Sequence, residues 1–431
     1  MRKRLLHVLT LLFLLSNIGF SQIALPANCA QDHYVSSPQN AHSLSHFNAI
    51  YQQAITQTGG ATHRDFEIYQ IPVVVHIVYS NEDEYISEER VNEQLAQLNK
   101  DFRRLNGDAE KVRLEFEDVV GDSGIEFQLA KIIWVNTDTT FSLDFDISTL
   151  TYNFPDYVKS SKHGGSSPWD THEFLNIWVC PIVDNLIFGY AYPPSQLENW
   201  SIESKAPSNE MDGIVINYNA FGGPPPPFST NTSDRVTLQG RTLIHEVGHY
   251  LGLHHPWGYN EVGVYHCYLD DGLEDTPNMK DPTFDNCDFE KNTCGDISND
   301  LPDMIENFMD FSSQECQNSF TNQQIDVMRF VLENHRRALR VKNLQVANGH
   351  RALIYPNPTD GIVKVILKKD NRSEYKVRVT NGMSHNFQVP ITQFGGPSNS
   401  YKIDLSALTS GVYFIEFLAE QHRFTERVVV Y

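Results

Sequence analysis

Residues 245–255 read His-Glu-Val-Gly-His-Tyr-Leu-Gly-Leu-His-His, and the first two histidines of this stretch have the spacing of one helix face. His245 and His249 are four residues apart, so on a helix both imidazoles point the same way and can reach one metal ion. Glu246 lies beside them, where a carboxylate can accept a proton from water. The stretch therefore predicts a helix that carries two metal ligands and a base.

The residues after this helix supply a third ligand. Gly252 can adopt a positive φ angle and end the helix, so the chain can turn and bring His255 back as another imidazole. Three protein ligands and one open position are typical of a catalytic zinc site. His254 is off this spacing and is interpreted as a surface histidine or one that supports a ligand. Core positions are predicted for the apolar residues Leu243, Ile244, Val247, Leu251 and Leu253.

The N-terminal end of the chain indicates export. A basic start is followed by a mostly apolar run over residues 5–20, which predicts a secretory signal peptide at residues 1–22. The alternative is a membrane anchor, since the run is about as long as the shortest spanning helices. Residues 23–65 are polar and weakly patterned and are interpreted as a pro-segment, with activation cleavage near Arg64.

Composition narrows the classes of partner. The formal charge of −21 argues against a nucleic-acid partner, because phosphate backbones need a basic surface. Past the N-terminus, no stretch is apolar enough to predict a stable membrane span. We expect a secreted, monomeric protein.

Periodicity predicts a catalytic unit of the α+β class at residues 66–340: a mixed twisted sheet, an active-site helix and an irregular lower subdomain. The predicted helices are Ser87–Asn106 with Ser87 as N-cap, a zinc helix from Asp234 or Thr237 to Leu251, and Thr321–Arg340. The predicted strands are Ile71–Tyr79, Ile125–Trp134, Leu175–Val179 and Gly213–Tyr218.

A second unit follows a linker at residues 341–350. Short alternating segments separated by turn residues predict a small all-β sandwich at residues 351–431. Its predicted strands include Tyr375–Thr380, Tyr401–Leu405, Gly411–Phe417 and Phe424–Tyr431.

The six cysteines are unevenly placed. Four of them, Cys267, Cys287, Cys294 and Cys316, crowd the segment after the zinc motif and indicate two disulfides in an exported protein. From spacing alone, three pairings are possible. Cys180 lies in a predicted strand and is interpreted as a buried thiol.

The motif at residues 245–255 resembles that of the metzincin metallopeptidases, which also have a methionine turn beneath the metal. Met309, in Asn-Phe-Met-Asp at residues 307–310, is placed for that turn. Together with Asp275-Thr-Pro277 and the cysteine spacing, it is similar to the pappalysin family, including its ulilysin- and mirolysin-like bacterial members. This resemblance covers residues 66–340 and implies the pairs Cys267–Cys294 and Cys287–Cys316.

The C-terminal unit resembles another family. Tyr355-Pro-Asn-Pro358, the Leu405–Phe414 segment and the closing Arg427-Val-Val-Val are similar to the sorting domain of the bacterial type IX secretion system. The resemblance implies a Bacteroidota source and a partnership with that secretion machinery. The alternative is a generic immunoglobulin-like adhesion module.

The resemblance and the motif together predict a secreted zinc endopeptidase that acts on proteins or peptides. His245, His249 and His255 would bind zinc, and Glu246 would take a proton from water on the metal. Met309 would pack under the imidazoles as a structural residue. Substrate would lie extended along an edge strand at residues 189–193.

The acidic loop after Cys267 predicts a calcium site. Carboxylate and hydroxyl oxygens recur within a few residues there, and Asp271, Asp275 and Thr276 are the candidate ligands. The alternative is a solvated acidic loop.

The chain departs from the pappalysin pattern at one important place, and its S1′ residue is left open. Phe311 stands where many relatives have a tyrosine that can contact zinc and the developing oxyanion, so one electrostatic stabiliser is missing. Relatives hold an acidic S1′ residue between the methionine turn and the last cysteine; here the candidates are Gln314 and Glu315. The rivals to a peptidase are therefore a catalytically impaired pseudo-peptidase that binds surfaces, and an adhesin whose tail binds ligands.

Cys29 in the pro-segment predicts a latency switch. A lone thiol there could occupy the open zinc position as thiolate and keep the zymogen inactive. The alternatives are an incidental cysteine and a bridge to Cys180.

Overall fold

The computed structural model describes residue 29 and much of the chain from residue 51 onward. The described ranges are 51–56, 67–146, 151–183, 187–198, 200, 204–222, 239–258, 267, 270–284, 286–295, 300–342, 352–355, 359, 361–367, 375–382, 385–394, 400–419 and 422–430. The predicted signal peptide, Arg64 and most of the pro-segment and linker lie outside them. In these ranges, no helix is long and apolar enough to cross a membrane.

The first unit is built on one six-stranded mixed sheet. The strands of this unit are β1 (Tyr69–Tyr79), β2 (Ile125–Asn136), β3 (Phe141–Ser142), β4 (Asp144–Asp146), β5 (Thr151–Asn153), β6 (Leu175–Cys180), β7 (Ile182–Val183), β8 (Gly189–Ala191), β9 (Ile214–Asn217) and β10 (Val341–Lys342). Parallel pairing joins four of them in the order β2-β1-β6-β9, and β8 forms the edge as an antiparallel neighbour of β9.

The central strands are apolar on both faces because both faces are covered. In β1, Val73, Val74 and Val75 are all fully buried, which is typical of parallel strands inside an α/β layer arrangement. His76, a buried polar residue of β1, contacts Ser166 and Asn176 at 2.7 and 3.0 Å through its two ring nitrogens. Its buried polar atoms are thereby satisfied without breaking the strand.

Among the described residues, three helices of ten residues or more pack with this sheet: α1 (Glu88–Phe102), α2 (Arg241–Tyr250) and α3 (Asn322–Asn334). The predicted N-caps are confirmed, since the Ser87 side chain accepts from Arg90 N–H and Thr321 forms a capping box with Gln324. The predicted apolar face of α1 is buried in the core: Val91, Leu95, Leu98 and Phe102.

Helix ends differ from the sequence expectations for local reasons. The first helix ends at Phe102 instead of Asn106, because Arg104 adopts φ 49° and the Leu105 amide turns back to the Lys100 carbonyl. The predicted zinc helix is α2, and it begins only at Arg241, after Gly240 at φ 78°. The last helix ends at Asn334, and a separate short turn follows at Arg337–Leu339.

The irregular region after α2 is cross-linked as the resemblance implied. Disulfides join Cys267 to Cys294 and Cys287 to Cys316. Cys180 is buried and outside any disulfide, as predicted, and Cys29 does not bridge to it. The start of the predicted linker is also ordered, since β10 pairs with Tyr69 and Gln70 at the beginning of β1.

The strands of the C-terminal unit are β11 (Ala352–Tyr355), β12 (Ile362–Leu367), β13 (Lys376–Asn381), β14 (Asn386–Phe387), β15 (Ile391–Phe394), β16 (Ser400–Asp404), β17 (Gly411–Ala419) and β18 (His422–Val430). They form two four-stranded antiparallel sheets, ordered β11-β12-β16-β15 and β14-β13-β17-β18. Of these strands, β14 and β15 were not predicted from the sequence. The core of the unit is formed by alternate residues such as Val363, Val365, Ile415 and Phe417.

Candidate metal centre and peptidase site

Three imidazoles converge at the end of the zinc helix. The Nε2 atoms of His245, His249 and His255 lie 3.0, 3.0 and 3.2 Å from one another. These separations are close to the ~3.3 Å edge of a tetrahedron with zinc–nitrogen distances of ~2.0 Å. All three side chains are buried, and Gly252 at φ 94° provides the turn that returns His255.

Backbone carbonyls select the tautomer that binds metal. The Nδ1–H of His245 donates to the Phe308 carbonyl, and that of His249 to the Leu253 carbonyl, both at 2.8 Å. Because a carbonyl can only accept, Nδ1 carries the proton and the Nε2 lone pair faces the centre. Burial, followed by the neighbouring histidines, lowers the pKa of His249 well below its usual value, so the neutral ligand form is favoured.

Met309 lies directly under the zinc helix. A side-chain carbon added to Gly248 would meet the Met309 sulfur at 2.4 Å, so only glycine allows this approach. The turn is held by Met309 N–H, which donates to the Asn307 side chain at 2.9 Å. The same turn presents the Phe308 carbonyl to His245 and thus orients a ligand.

Glu246 is fully buried between the zinc helix and the edge strand. Neither carboxylate oxygen has a hydrogen-bond partner of good geometry in the described residues. Burial raises the pKa of Glu246 to about 8, an effect that the nearby Cys29 thiol reduces in part. Its Cγ would lie 3.1 Å from a carbon added to Gly189, so β8 packs against the base.

Cys29 reaches this centre from the pro-segment. Its sulfur and one nitrogen from each of His245, His249 and His255 all lie within 4.8 Å of one another. In the described part of the chain, this is the one cluster of three or more such ligand side chains. The backbone at Cys29 forms a parallel bridge to Gly189, and its side chain is fully buried with Trp257, Met279 and Phe311.

Phe311 packs against the ligands from the side of the methionine turn. Its ring centroid lies 4.9 Å from that of His255 and 5.6 Å from that of His245. The residue is buried, and without a hydroxyl it offers these imidazoles only ring contacts.

The surface interpretation of His254 was wrong. The side chain is buried, and its ring stacks on Trp200 with centroids 3.7 Å apart. Trp200 in turn stands edge-on to His249, with centroids 6.1 Å apart. This tryptophan escaped the sequence analysis because nothing near it in the chain marks it as a neighbour of the zinc motif.

The structure places Gln314 at the start of the zinc helix. Its side-chain oxygen accepts from the Gln239 and Arg241 amides at 2.7 and 2.9 Å, and its nitrogen donates to the Thr242 hydroxyl at 3.0 Å. Gly240 has no side chain to cap the helix, so Gln314 supplies that acceptor from a distant segment. Its amide is thereby committed to the helix, while Glu315 is exposed.

The acidic loop leaves two buried carboxylate oxygens without partners in the described residues: Asp271 Oδ2 and Asp275 Oδ1. The other oxygen of Asp271 accepts from the Thr276 hydroxyl at 2.7 Å, and that of Asp275 accepts from Gln323 N–H at 2.8 Å. Burial raises the pKa of Asp275 to about 6 and that of Asp271 well above its usual value.

Comparisons with known proteins agree with this geometry. The peptidase M43 family model, described as pregnancy-associated plasma protein-A, matches residues 159–333, and a secretion system C-terminal sorting domain matches residues 353–431. Mature mirolysin of Tannerella forsythia, solved with a cleaved peptide, is 32% identical, with a TM-score of 0.53 over 66% of this chain and 100% of its own. The chain belongs to the pappalysin family of metallopeptidases.

Other relatives extend the likeness. A promirolysin mutant of Tannerella forsythia is 29% identical and superposes with a TM-score of 0.54, covering 73% of this chain and 97% of its own. An extracellular metalloprotease of Arthroderma gypseum is 26% identical over 72% of this chain and 89% of its own length. The predicted family, fold class, metalloprotease activity, sorting domain and secretion are thus confirmed.

The Gln314 contacts predict a specific pattern of stability. Gln314→Leu should lower the free energy of unfolding by about 3 kcal/mol, because two amides at the helix start lose a buried acceptor. Gln314→Glu keeps that acceptor and should stay within about 1 kcal/mol of the parent. Urea unfolding followed by circular dichroism measures both values.

The exposed neighbour provides the control for this pair. Glu315→Leu changes a side chain of similar size one residue away and should leave the unfolding midpoint nearly unchanged. Equal losses in Gln314→Leu and Gln314→Glu would contradict the capping role.

Proposed function

We propose that this metalloprotease is a zinc endopeptidase in which His245, His249 and His255 hold the metal and Glu246 is the general base. The observation that carries the proposal is the convergence of three imidazole Nε2 atoms next to the fully buried carboxylate of Glu246. When bound, zinc would supply a Lewis acid that polarises the scissile carbonyl and acidifies water.

The residues around the metal would transfer the proton and hold the imidazoles in place. Glu246 would accept a proton from the attacking water and return it to the leaving amine. Its high pKa, caused by burial, suits a group that must both take and give a proton near neutral pH. The hydrogen bonds from Nδ1 to backbone carbonyls would hold the imidazoles during this cycle.

Protein or peptide substrate would bind along β8. Gly189–Ala191 forms an edge of the sheet, and β9 occupies one side of it. On its opposite side, Gly189 forms a parallel backbone bridge with Cys29. An extended substrate could use the same backbone groups once the pro-segment has left, which is β-augmentation.

The position of Cys29 supports the latency hypothesis. Its sulfur lies within 4.8 Å of a ring nitrogen of each of the three imidazoles, and its backbone occupies the edge at which we expect substrate. As thiolate it would take the open zinc position and exclude water from it. A bridge to Cys180, the competing interpretation, is not formed.

We also propose a calcium ion at the acidic loop. Two buried carboxylate oxygens without partners are costly unless a cation or proton neutralises them. Asp271 and Asp275 would be ligands, and Thr276 would orient Asp271 through its hydroxyl. Backbone carbonyls and water would complete the six to eight oxygens that calcium prefers.

A catalytically impaired binding protein remains the second candidate function, and Phe311 is the observation that favours it. A phenylalanine cannot donate a hydrogen bond to a developing oxyanion, so one stabilising group of relatives is missing. Because the three ligands and Glu246 keep their geometry, we favour the peptidase.

Removal of zinc or of the base should abolish proteolysis. After the pro-segment is removed, the protein should cleave casein, and a zinc chelator should stop it. Glu246→Gln should lower kcat by about 10²–10⁴ with zinc content unchanged, because only the proton acceptor is lost. The exposed Glu89→Gln, on α1, is the matched control, and an absence of chelator-sensitive cleavage by the processed parent would favour the binding protein.

Loss of the Cys29 thiol should release latency. Full-length Cys29→Ala should process itself during expression, whereas the parent stays latent, because water replaces the thiolate at the metal. Gel analysis of intact and processed chains over time measures this. Cys180→Ala removes a buried thiol outside the site and should keep normal latency; normal latency in Cys29→Ala as well would refute the switch.

Calcium should stabilise the catalytic unit. Calcium at about 100 times its dissociation constant should raise Tm by about 5–10 °C, since it binds the folded state preferentially. Asp271→Asn should lose most of this shift, while the exposed Glu274→Gln should retain it. Differential scanning calorimetry with and without calcium tests the site, and an equal shift in both variants would rule out this placement.

A further inference from the structure

Part of the predicted pro-segment is built into the core of the catalytic unit. Residues 51–56 form a short helix in which Tyr51 and Ala54 are buried and Ile55 packs against the main apolar cluster. Gln52, Gln53 and Thr56 face solvent. This helix is therefore docked by one apolar face, at a place other than the zinc centre.

The Tyr51 side chain makes a polar contact in this docking. Its hydroxyl donates a hydrogen bond to the Gly252 carbonyl, and only 1% of the residue is exposed. Gly252 is the left-handed turn between His249 and His255. When Tyr51 leaves, this carbonyl loses the hydroxyl that donates to it.

The Tyr51 side chain also contacts aromatic rings. The Tyr51 ring lies 6.2 Å from that of His254, which is stacked on Trp200. Trp200 stands edge-on to the ligand His249. A phenol bound here therefore contacts the turn and the ring pair that support the zinc ligands, without touching the metal.

We propose that Gly252, His254 and Trp200 form a second binding site for the pro-segment, one that recognises the phenol of Tyr51 independently of zinc. Its occupant is the helix at residues 51–56 of this chain. The site opens on activation, and the released pro-segment rebinds to it in trans as an inhibitor. This inference rests on the proposed zymogen function and adds an anchor to the Cys29 contact.

Two anchors on one fragment explain how latency can be both tight and reversible. A cut near Arg64 leaves Cys29 and Tyr51 on the same released fragment. Binding at the phenol site raises the effective concentration of the thiol at the metal, so each contact alone can be weak. Complete activation then requires destruction or dilution of the fragment.

The experiment measures peptide binding to the processed, zinc-loaded Glu246→Gln protease, which cannot digest the ligand. A fluorescent peptide of residues 23–64 that carries Cys29→Ser should bind saturably, because its Tyr51 remains. Adding Tyr51→Ala should weaken binding at least ~30-fold through lost apolar burial. Tyr51→Phe should weaken it about 5-fold through the lost hydrogen bond.

Gln53→Ala in the same peptide is the matched control, since Gln53 is exposed on the same helix, and it should bind like its parent. Equal affinity of the peptides with and without the Tyr51→Ala substitution, or no binding of the Cys29→Ser peptide, would overturn the second site. Neither result would affect the peptidase proposal, which depends on chelator-sensitive cleavage by the processed parent protease. Because the variants are in the peptide, folding of the protease is not at risk.

Discussion

The hydrogen bonds from two imidazole Nδ1–H groups to backbone carbonyls are the constraint on which the site depends. They select the tautomer of His245 and His249 and aim both Nε2 lone pairs at one point. One acceptor, the Phe308 carbonyl, belongs to the methionine turn, and the other, the Leu253 carbonyl, belongs to the returning chain. The metal centre is thus assembled from the helix, the turn below it and the loop that follows it.

The zinc helix is short, and distant parts of the chain hold both of its ends. Gln314 accepts from the amides at its start, and Arg336, just after α3, donates to the Tyr250 carbonyl at its end. Arg336 also forms a partly buried ion pair with Asp212. Because ten residues form a marginal helix in water, this tertiary support keeps the ligands in register.

Local chemistry accounts for the part of the site that could be predicted from the sequence. The i, i+4 spacing of His245 and His249, the glycine that permits φ 94°, and the caps Ser87 and Thr321 all act within a few residues. The cysteine pairing and the methionine turn came from family resemblance. The capping role of Gln314, the position of Trp200 and the burial of Tyr51 were missed because each depends on residues far away in the chain.

The sequence by itself determined the fold class, and from it the metal ligands, the base and the two units could be predicted, because spacing and periodicity reflect the geometry of single elements. The tertiary structure decided which groups surround those ligands. It buried Glu246 against Gly189, placed the Gln314 side chain as a cap at the start of the zinc helix, and stacked His254 on Trp200, which excludes the surface position but not a role in supporting a ligand. Packing brings such groups together from distant parts of the chain, so no local sequence pattern predicts these contacts.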